Sequence, residues 1–275
     1  MLTPPLKTFL RRWVPQGVRD LLNRATGHAI YYSGHYANWS AALTAADGYA
    51  ENHLIERLHA AALAVHQGKA AWEQDGVTRD VVPPDYPLLA SFAQVVLATS
   101  GRLRVLDFGG GLGSTYRQCR RHLHGTREWS WHIVEQPAIA RLGARDFATA
   151  ELHFHDSLQD SLAAEAPDVA LFSATLQYIE SPAAILEQIV AARLPYLVID
   201  RHPVTLTSPR LTVQTVPRSL YSASYPCWLF AADWLEQQLG DRYQRVFEWP
   251  GKDPPIRGFG FGSSFVGSFW KRREP

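Results

Sequence analysis

The chain has 275 residues, with 27 Lys plus Arg against 26 Asp plus Glu, and its formal charge of +1 names no partner. That balance excludes a strongly basic nucleic-acid binder and a polyanion mimic. A hydrophobic fraction of 46% with 19% charged residues excludes overall disorder and supplies the apolar mass for one large domain, or for one domain with an appended lobe.

Between Leu6 and Ala25, Leu, Phe, Trp and Val mix with Lys7, Arg11, Arg12, Arg19 and Arg24 around Pro15. Two readings stand: a terminal helix packed on its own domain with solvated arginines, and a basic amphipathic segment in weak contact with an anionic membrane surface. Charges interrupt the apolar centre that a signal peptide needs. No window reaches the roughly 18 consecutive apolar residues of a membrane span, so a cytoplasmic location is expected. Cys119 and Cys227, the only cysteines, lie far apart and offer neither a disulfide framework nor a paired-cysteine zinc site.

Residues 40–73 are rich in Ala, Leu, Glu and His, and Leu54, Leu58, Ala61, Ala62 and Val65 fall at helical spacing. The stretch from Asp75 to Pro87 combines turn residues with three prolines and reads as a connecting loop. A helix from about Leu88 to Thr99 follows. Together these define an N-terminal helical lobe, or lid, over residues 1–100.

From Arg104 the pattern becomes short apolar strands alternating with amphipathic helices, the signature of a parallel sheet covered by helices. The expected strands are Arg104–Phe108, Ser130–Val134, Leu152–His155, Val169–Ser173 and Tyr196–Ile199. The expected helices are Thr115–Leu123, Ala138–Ala150, Leu158–Ala164, Ala183–Ala192 and, later, Ala231–Leu239. Two aromatic strands, Tyr243–Trp249 and Phe259–Trp270, would close the sheet as an antiparallel edge pair. The fold class is α/β: a doubly wound, Rossmann-like, seven-stranded sheet over residues 101–275.

The segment VLDFGGGLGS, Val105–Ser114, lies at the end of the first of these strands and opens a helix. Glycines at 109, 110, 111 and 113 let the backbone turn sharply and let a ligand approach the main chain. A dinucleotide fingerprint read from Gly109 would end on Ser114 instead of Gly or Ala. The pattern is D-x-G-x-G-x-G, led by Asp107, whose carboxylate would repel a pyrophosphate and suit a cationic amino-acid ligand. The second strand ends at Glu135, followed by Gln136, where a carboxylate can accept hydrogen bonds from both ribose hydroxyls. The third ends at Asp156 and Ser157, placed to meet an adenine edge. The fourth ends at Ser173. All four ends converge on one edge of the sheet.

These residues resemble those of the class I S-adenosylmethionine-dependent methyltransferases, from about Arg102 to the C-terminus. The resemblance implies S-adenosyl-L-methionine as cofactor. It places Asp107 and the Gly109–Gly113 loop near the methionine portion, Glu135 on the ribose, Asp156 near adenine, and Ser173 to Tyr178 along the pocket. The stretches YYSGHYANWSAAL, DGYAENHLIERL, VLDFGGGLGSTYRQ, WHIVEQP and VIDRHPVT are together similar to a family of bacterial methyltransferases encoded among surface-polysaccharide genes. That likeness implies a sugar, glycan-precursor or other small-molecule hydroxyl as acceptor; the near-neutral charge balance argues against a nucleic-acid partner.

Methyl transfer to a hydroxyl needs two reactants held in line and a base. The fifth strand is followed by Asp200, Arg201 and His202: His202 is a candidate base, Arg201 a candidate clamp for an acidic substrate, and Asp200 a residue to orient either. The alternative is a cluster that only caps and solvates a loop. Tyr178, with Gln177, borders the expected acceptor side or packs over the next helix. His35, Tyr36 and Trp39 read as a lid or as lobe packing, and Tyr221, Tyr225 and Trp228 as a stacking surface or a buried connector. His153 and His155 share a strand face but lack a third ligand, so no metal is expected. His122 and His124 suit the carbonyl end of a helix. Two rivals remain: a nicotinamide-dependent oxidoreductase on the same sheet, and a catalytically silent methyltransferase-like scaffold.

Overall fold

The computed structural model describes residues 30–46, 48–49, 51–205, 208–217, 223–258 and 261–274. The basic segment between Leu6 and Ala25, and Tyr221, lie outside them. The chain begins with β1 (Tyr31–Ser33), α1 (Trp39–Thr44), β2 (Gly48–Tyr49) and α2 (Glu51–His66). A hairpin of β3 (Trp72–Gln74) and β4 (Val77–Arg79) precedes α3 (Tyr86–Ala98). Alternating units then follow: β5 (Arg102–Phe108), α4 (Ser114–His122), β6 (Glu128–Val134), α5 (Pro137–Asp146), β7 (Leu152–His155), α6 (Leu158–Ala164), β8 (Val169–Ser173) and α7 (Pro182–Ala191). The chain closes with β9 (Tyr196–Thr205), β10 (Arg210–Val216), β11 (Ala223–Ala231), α8 (Trp234–Leu239), β12 (Tyr243–Pro250), β13 (Ile256–Gly258) and β14 (Phe261–Arg272).

Seven of these strands lie in the order β7-β6-β5-β8-β9-β14-β12. The five from β7 to β9 are parallel neighbours, and β14 runs antiparallel between β9 and β12. This is the expected doubly wound α/β arrangement with its antiparallel pair. The connections leave β5 in one direction toward β6 and β7 and in the other toward β8 and β9. A crevice therefore opens beyond the carboxyl ends of β5 and β8, the switch point where such sheets bind ligands.

Period-2 alternation divides the core. On one face Leu106, Ala170, Phe172, Leu197 and Ile199 pack under Leu186 and Ile189 of α7 and Leu235 and Leu239 of α8. On the other, Val105, Trp131, Ile133, Leu171 and Val198 pack under Leu88, Phe92 and Val95 of α3. Local signals set the helix starts: Asp85 caps α3 by accepting from Leu88 N, Ser157 caps α6 by accepting from Asp160 N, and Pro137 and Pro182 occupy first-turn positions.

The sheet is not limited to seven strands. β1, β2, β10, β11 and β13 join it, making twelve. The β-branched and aromatic strands Arg210–Val216 and Ala223–Ala231 pair as an antiparallel wall, β1-β10-β11, that continues from the upper half of β9 through Val204 and Thr205. Accordingly the described residues before 50 are not a purely helical lobe: Tyr31–Ser33 pair with β10, and Gly48–Tyr49 with β11. Residues 72–79, expected as helix end and loop, form a hairpin. Its turn residues Asp75 (φ 52°) and Gly76 (φ 74°) are both left-handed, as a two-residue hairpin turn requires.

Candidate functional site

Four strand ends meet at the crevice. Asp107, near the end of β5, is 2% exposed, and its Oδ2 accepts from Trp131 Nε1–H at 3.0 Å. Burial pushes its pKa up from 3.8 to about 7; the indole bond, which favours the carboxylate, offsets part of that, and the charge of Glu135 adds to it. The loop that follows wraps around this carboxylate. A Cβ on Gly110 would stand 2.5 Å from Asp107 Oδ2, whereas one on Gly111 (φ 58°) would meet nothing within 4 Å, so the loop is tight beneath and open on the crevice side. Gly113 (φ 91°) then starts α4.

Glu135 closes the loop from the second strand. Its Oε1 accepts from Gly111 N at 3.2 Å and its Oε2 from Gln136 N at 2.9 Å. Burial raises its pKa while both amide bonds lower it. Each oxygen keeps a further acceptor position. Asp156 and Ser157 follow on the third strand, and Ser157 also caps α6.

Asp200 is the counterpart of Asp107 on β9. It accepts from Trp249 Nε1–H at 3.1 Å and from Ser173 Oγ–H at 3.2 Å, and burial raises its pKa. Arg201 follows with φ 55°, at a bulge where the pairing of β9 with β14 slips opposite Gly267. A Cβ on Gly267 would stand 2.0 Å from the Trp249 indole, so that glycine makes the space from which the indole reaches Asp200.

Two adjoining cavities occupy the crevice. The smaller, about 130 Å³, is lined by Asp107, Gly109–Gly111, Asp200 and Arg201, and by Glu73, Asp85 and Lys252, which no sequence signal marked. The larger, about 640 Å³, is lined by Glu135, Gln136, Asp156 and Ser157 on one side and by Thr175, Tyr178 and Tyr225 on the other. No Lys, Arg or His among the described residues lines the larger cavity.

The proposed catalytic residues are not placed alike. His202 is 1% exposed, lines neither cavity, and lies against Phe230 (ring centroids 4.4 Å) and Trp234 (5.8 Å) with neither ring nitrogen hydrogen-bonded. Burial drives its pKa down to about 3. The bulge at Asp200–Arg201 turns it into the aromatic core, which corrects its assignment as the base. Arg201 makes a two-pronged pair with Asp253 (2.7 and 3.1 Å), so its fork is already engaged by the protein instead of standing ready for an acidic substrate. Tyr178 does reach the larger cavity. Its phenol donates to Gln214 Oε1 at 2.9 Å, and Gln214 Nε2 donates to Tyr225 Oη at 3.2 Å, which joins the 3₁₀ turn Leu176–Tyr178 to the antiparallel wall.

Tyr36 and Trp39 pack around Ala42, Leu211 and Val213, and Trp39 stacks on Trp228, so these residues build the wall and line neither cavity. His132, His153 and His155 stack together on β6 and β7. Among the described residues no group of His, Cys, Asp and Glu is arranged to hold a metal ion, and no helix is long and apolar enough to cross a membrane.

No protein-family model matches the chain, and no curated protein matches it. Solved structures are similar to it in part. One is a Burkholderia thailandensis 1,6-didemethyltoxoflavin-N1-methyltransferase, solved with 1,6-didemethyltoxoflavin and S-adenosylhomocysteine, at TM-score 0.44 and 19% identity over 82% of this chain and 90% of that one. The CcbJ methyltransferase from Streptomyces caelestis gives TM-score 0.44 and 13% identity over 74% of this chain and 99% of its own. An S-adenosylmethionine-dependent methyltransferase from Mesorhizobium loti gives 0.43 and 13% over 69% and 97%.

Proposed function

We propose that the chain is an S-adenosylmethionine-dependent methyltransferase that methylates a hydroxyl on a neutral small molecule, including a sugar or glycan precursor. The observation that carries this reading is the pair of adjoining cavities: an acid-rich one at Asp107 and the glycine loop, and a roomier one that begins at Glu135, Asp156 and Ser157. The residues fit the cofactor. Open space above Gly111 admits a ligand against the main chain. Five acidic side chains against two basic ones line the smaller cavity, and both basic ones are paired, Arg201 with Asp253 and Lys252 with Asp85. That excess suits an ammonium and repels a pyrophosphate.

When bound, the cofactor supplies an electrophilic methyl group on a sulfonium. Asp107 would hold the ammonium, Glu135 would accept from the ribose hydroxyls while its remaining lone pairs keep the loop amides, and Asp156 with Ser157 would meet adenine. Tyr178, fixed by Gln214, borders the space left for the acceptor. The absence of cations there among the described residues supports a neutral acceptor over a phosphorylated one.

Incubation with methyl-labelled S-adenosylmethionine and two acceptor pools tests this: neutral glycosides and phenols in one, nucleoside-diphosphate sugars in the other. Label is expected in the neutral pool. Label in the phosphorylated pool alone contradicts the acceptor class, and saturable cofactor binding with label in neither favours a silent scaffold.

A further inference from the structure

We infer that Asp75, on the turn of the β3–β4 hairpin, is the carboxylate that faces the sulfonium and makes the site prefer the charged methyl donor to its neutral product. The inference rests on the cofactor reading above and goes beyond it in naming a residue and a selectivity. Among the described residues, three line both cavities: Leu58, Gly109 and Asp75. In the cofactor, the sulfonium joins the methionine chain to the adenosyl group. With the ammonium at Asp107 and the ribose at Glu135, the sulfur falls where the two cavities meet, and among the described residues Asp75 is the only ionisable side chain lining both.

The Asp75 charge is shared only in part with the protein: Arg201 Nη2 stands 3.9 Å from Asp75 Oδ2 while the two hydrogen bonds of that guanidinium go to Asp253 at 2.7 and 3.1 Å, and Arg57 Nε donates to the neighbouring Gly76 O at 3.1 Å. Lys252 is held by Asp85. The Asp75 side chain is 64% exposed, so it is hydrated when the crevice is open and reaches the junction without the desolvation cost that Asp107 and Asp200 bear. The hairpin itself is anchored: Glu73 accepts a hydrogen bond from the Ser114 hydroxyl at the start of α4 and faces Arg117 at 3.7 Å. A carboxylate at this position attracts a sulfonium and loses that attraction once the methyl group has left, which favours release of the thioether product.

Calorimetric titration of S-adenosylmethionine and of S-adenosylhomocysteine into wild type and Asp75→Asn separates this from a general binding role. Asn adopts the left-handed turn conformation as readily as Asp, and an unchanged melting temperature checks that the hairpin is kept. The substitution is expected to weaken the sulfonium ligand by roughly threefold to tenfold and to leave the thioether within about twofold, as for a partly exposed charge pair. In wild type the preference should narrow as salt rises from about 0.05 to about 0.5 M, and in the variant it should not. Equal loss of both ligands, or an unchanged ratio, overturns the role of Asp75 while the cofactor reading stands. Failure of wild type to bind either ligand overturns both.

Discussion

Asp107 sits at the end of a buried strand where solvation is poor, and among the described residues its donor is the Trp131 indole. With a pKa near 7 in the folded chain and near 4 when unfolded, the folded state holds a proton that the unfolded state has lost across pH 4–7. The unliganded protein therefore loses stability as pH rises through that window, and Asp107→Asn should flatten that part of the melting profile. An ammonium-bearing ligand favours the ionised form, so affinity for S-adenosylhomocysteine should rise from pH 5.5 to about 7.5 and then level, a dependence that Asp107→Asn removes. His202 carries the opposite sign. Its folded pKa of about 3 lies below the unfolded value of 6.5, so its contribution is lost as pH falls from 6.5 toward 3, where the unfolded chain takes up the proton. His202→Phe, which replaces two unbonded buried nitrogens by carbon, should reduce acid sensitivity and leave cofactor affinity unchanged. His202→Ala should cost about 2 kcal/mol through the cavity it leaves between Phe230 and Trp234, as read by urea denaturation. A large loss of S-adenosylhomocysteine affinity in His202→Phe would contradict its assignment to the core.

Elements bring these side chains into place through breaks in regularity as much as through regular pairing. The β9 bulge carries Asp200 and Arg201 to the crevice and His202 away from it, and it depends on Gly267 in the facing strand β14. Gly267→Ala is expected to displace the Trp249 indole and cost about 2 kcal/mol or more, with Asp200 losing its indole donor. Calorimetric melting checks the first effect. Near-wild-type stability would show that β14 shifts freely and that the bulge is not a fixed support. The strands from Arg102 to Ile199 were legible because short runs of Val, Leu, Ile, Phe and Trp end at Gly, Glu, Asp or Ser. Five crevice-lining positions, Asp107, Glu135, Asp156, Ser157 and Ser173, were legible for the same reason, since a strand-terminal polar residue has few other places to go. His202 was misread because extended alternation from Asp200 hides a residue with φ 55°. Glu73, Asp85 and Lys252 carried no local signal, and nothing in the sequence tied Asp75 to the site. They reach the site from a hairpin, a helix cap and a distant loop, and only tertiary packing relates them. The Asp75-Gly76 dipeptide did carry a hairpin signal, masked by the prolines that follow it.

At the scale of the whole molecule, a seven-stranded sheet with an antiparallel last pair carries the ligand edge, and five further strands build on it. The wall of β1, β10 and β11 bounds the larger cavity through Tyr178, Gln214 and Tyr225, and the Trp39–Trp228 stack ties the segment before α2 to that wall. Its strands escaped sequence reading because Tyr, Ser, Trp and Pro at 223–231 suit a loop as well as a strand, and because the partner β1 lies far away in sequence. Among the described residues the two cavities thus draw on different parts of the chain: the glycine loop and the β3–β4 hairpin line the smaller, and the antiparallel wall reaches the larger through Tyr225. This division makes cofactor binding testable without knowledge of the acceptor. The most direct measurement is calorimetric titration of S-adenosylhomocysteine and of NADH into wild type, with Glu135→Ala as the control. Saturable binding of the first alone, weakened roughly tenfold or more by the substitution, is the predicted result. Binding of NADH instead, or of neither ligand, would contradict the assignment of this crevice to the methyl donor.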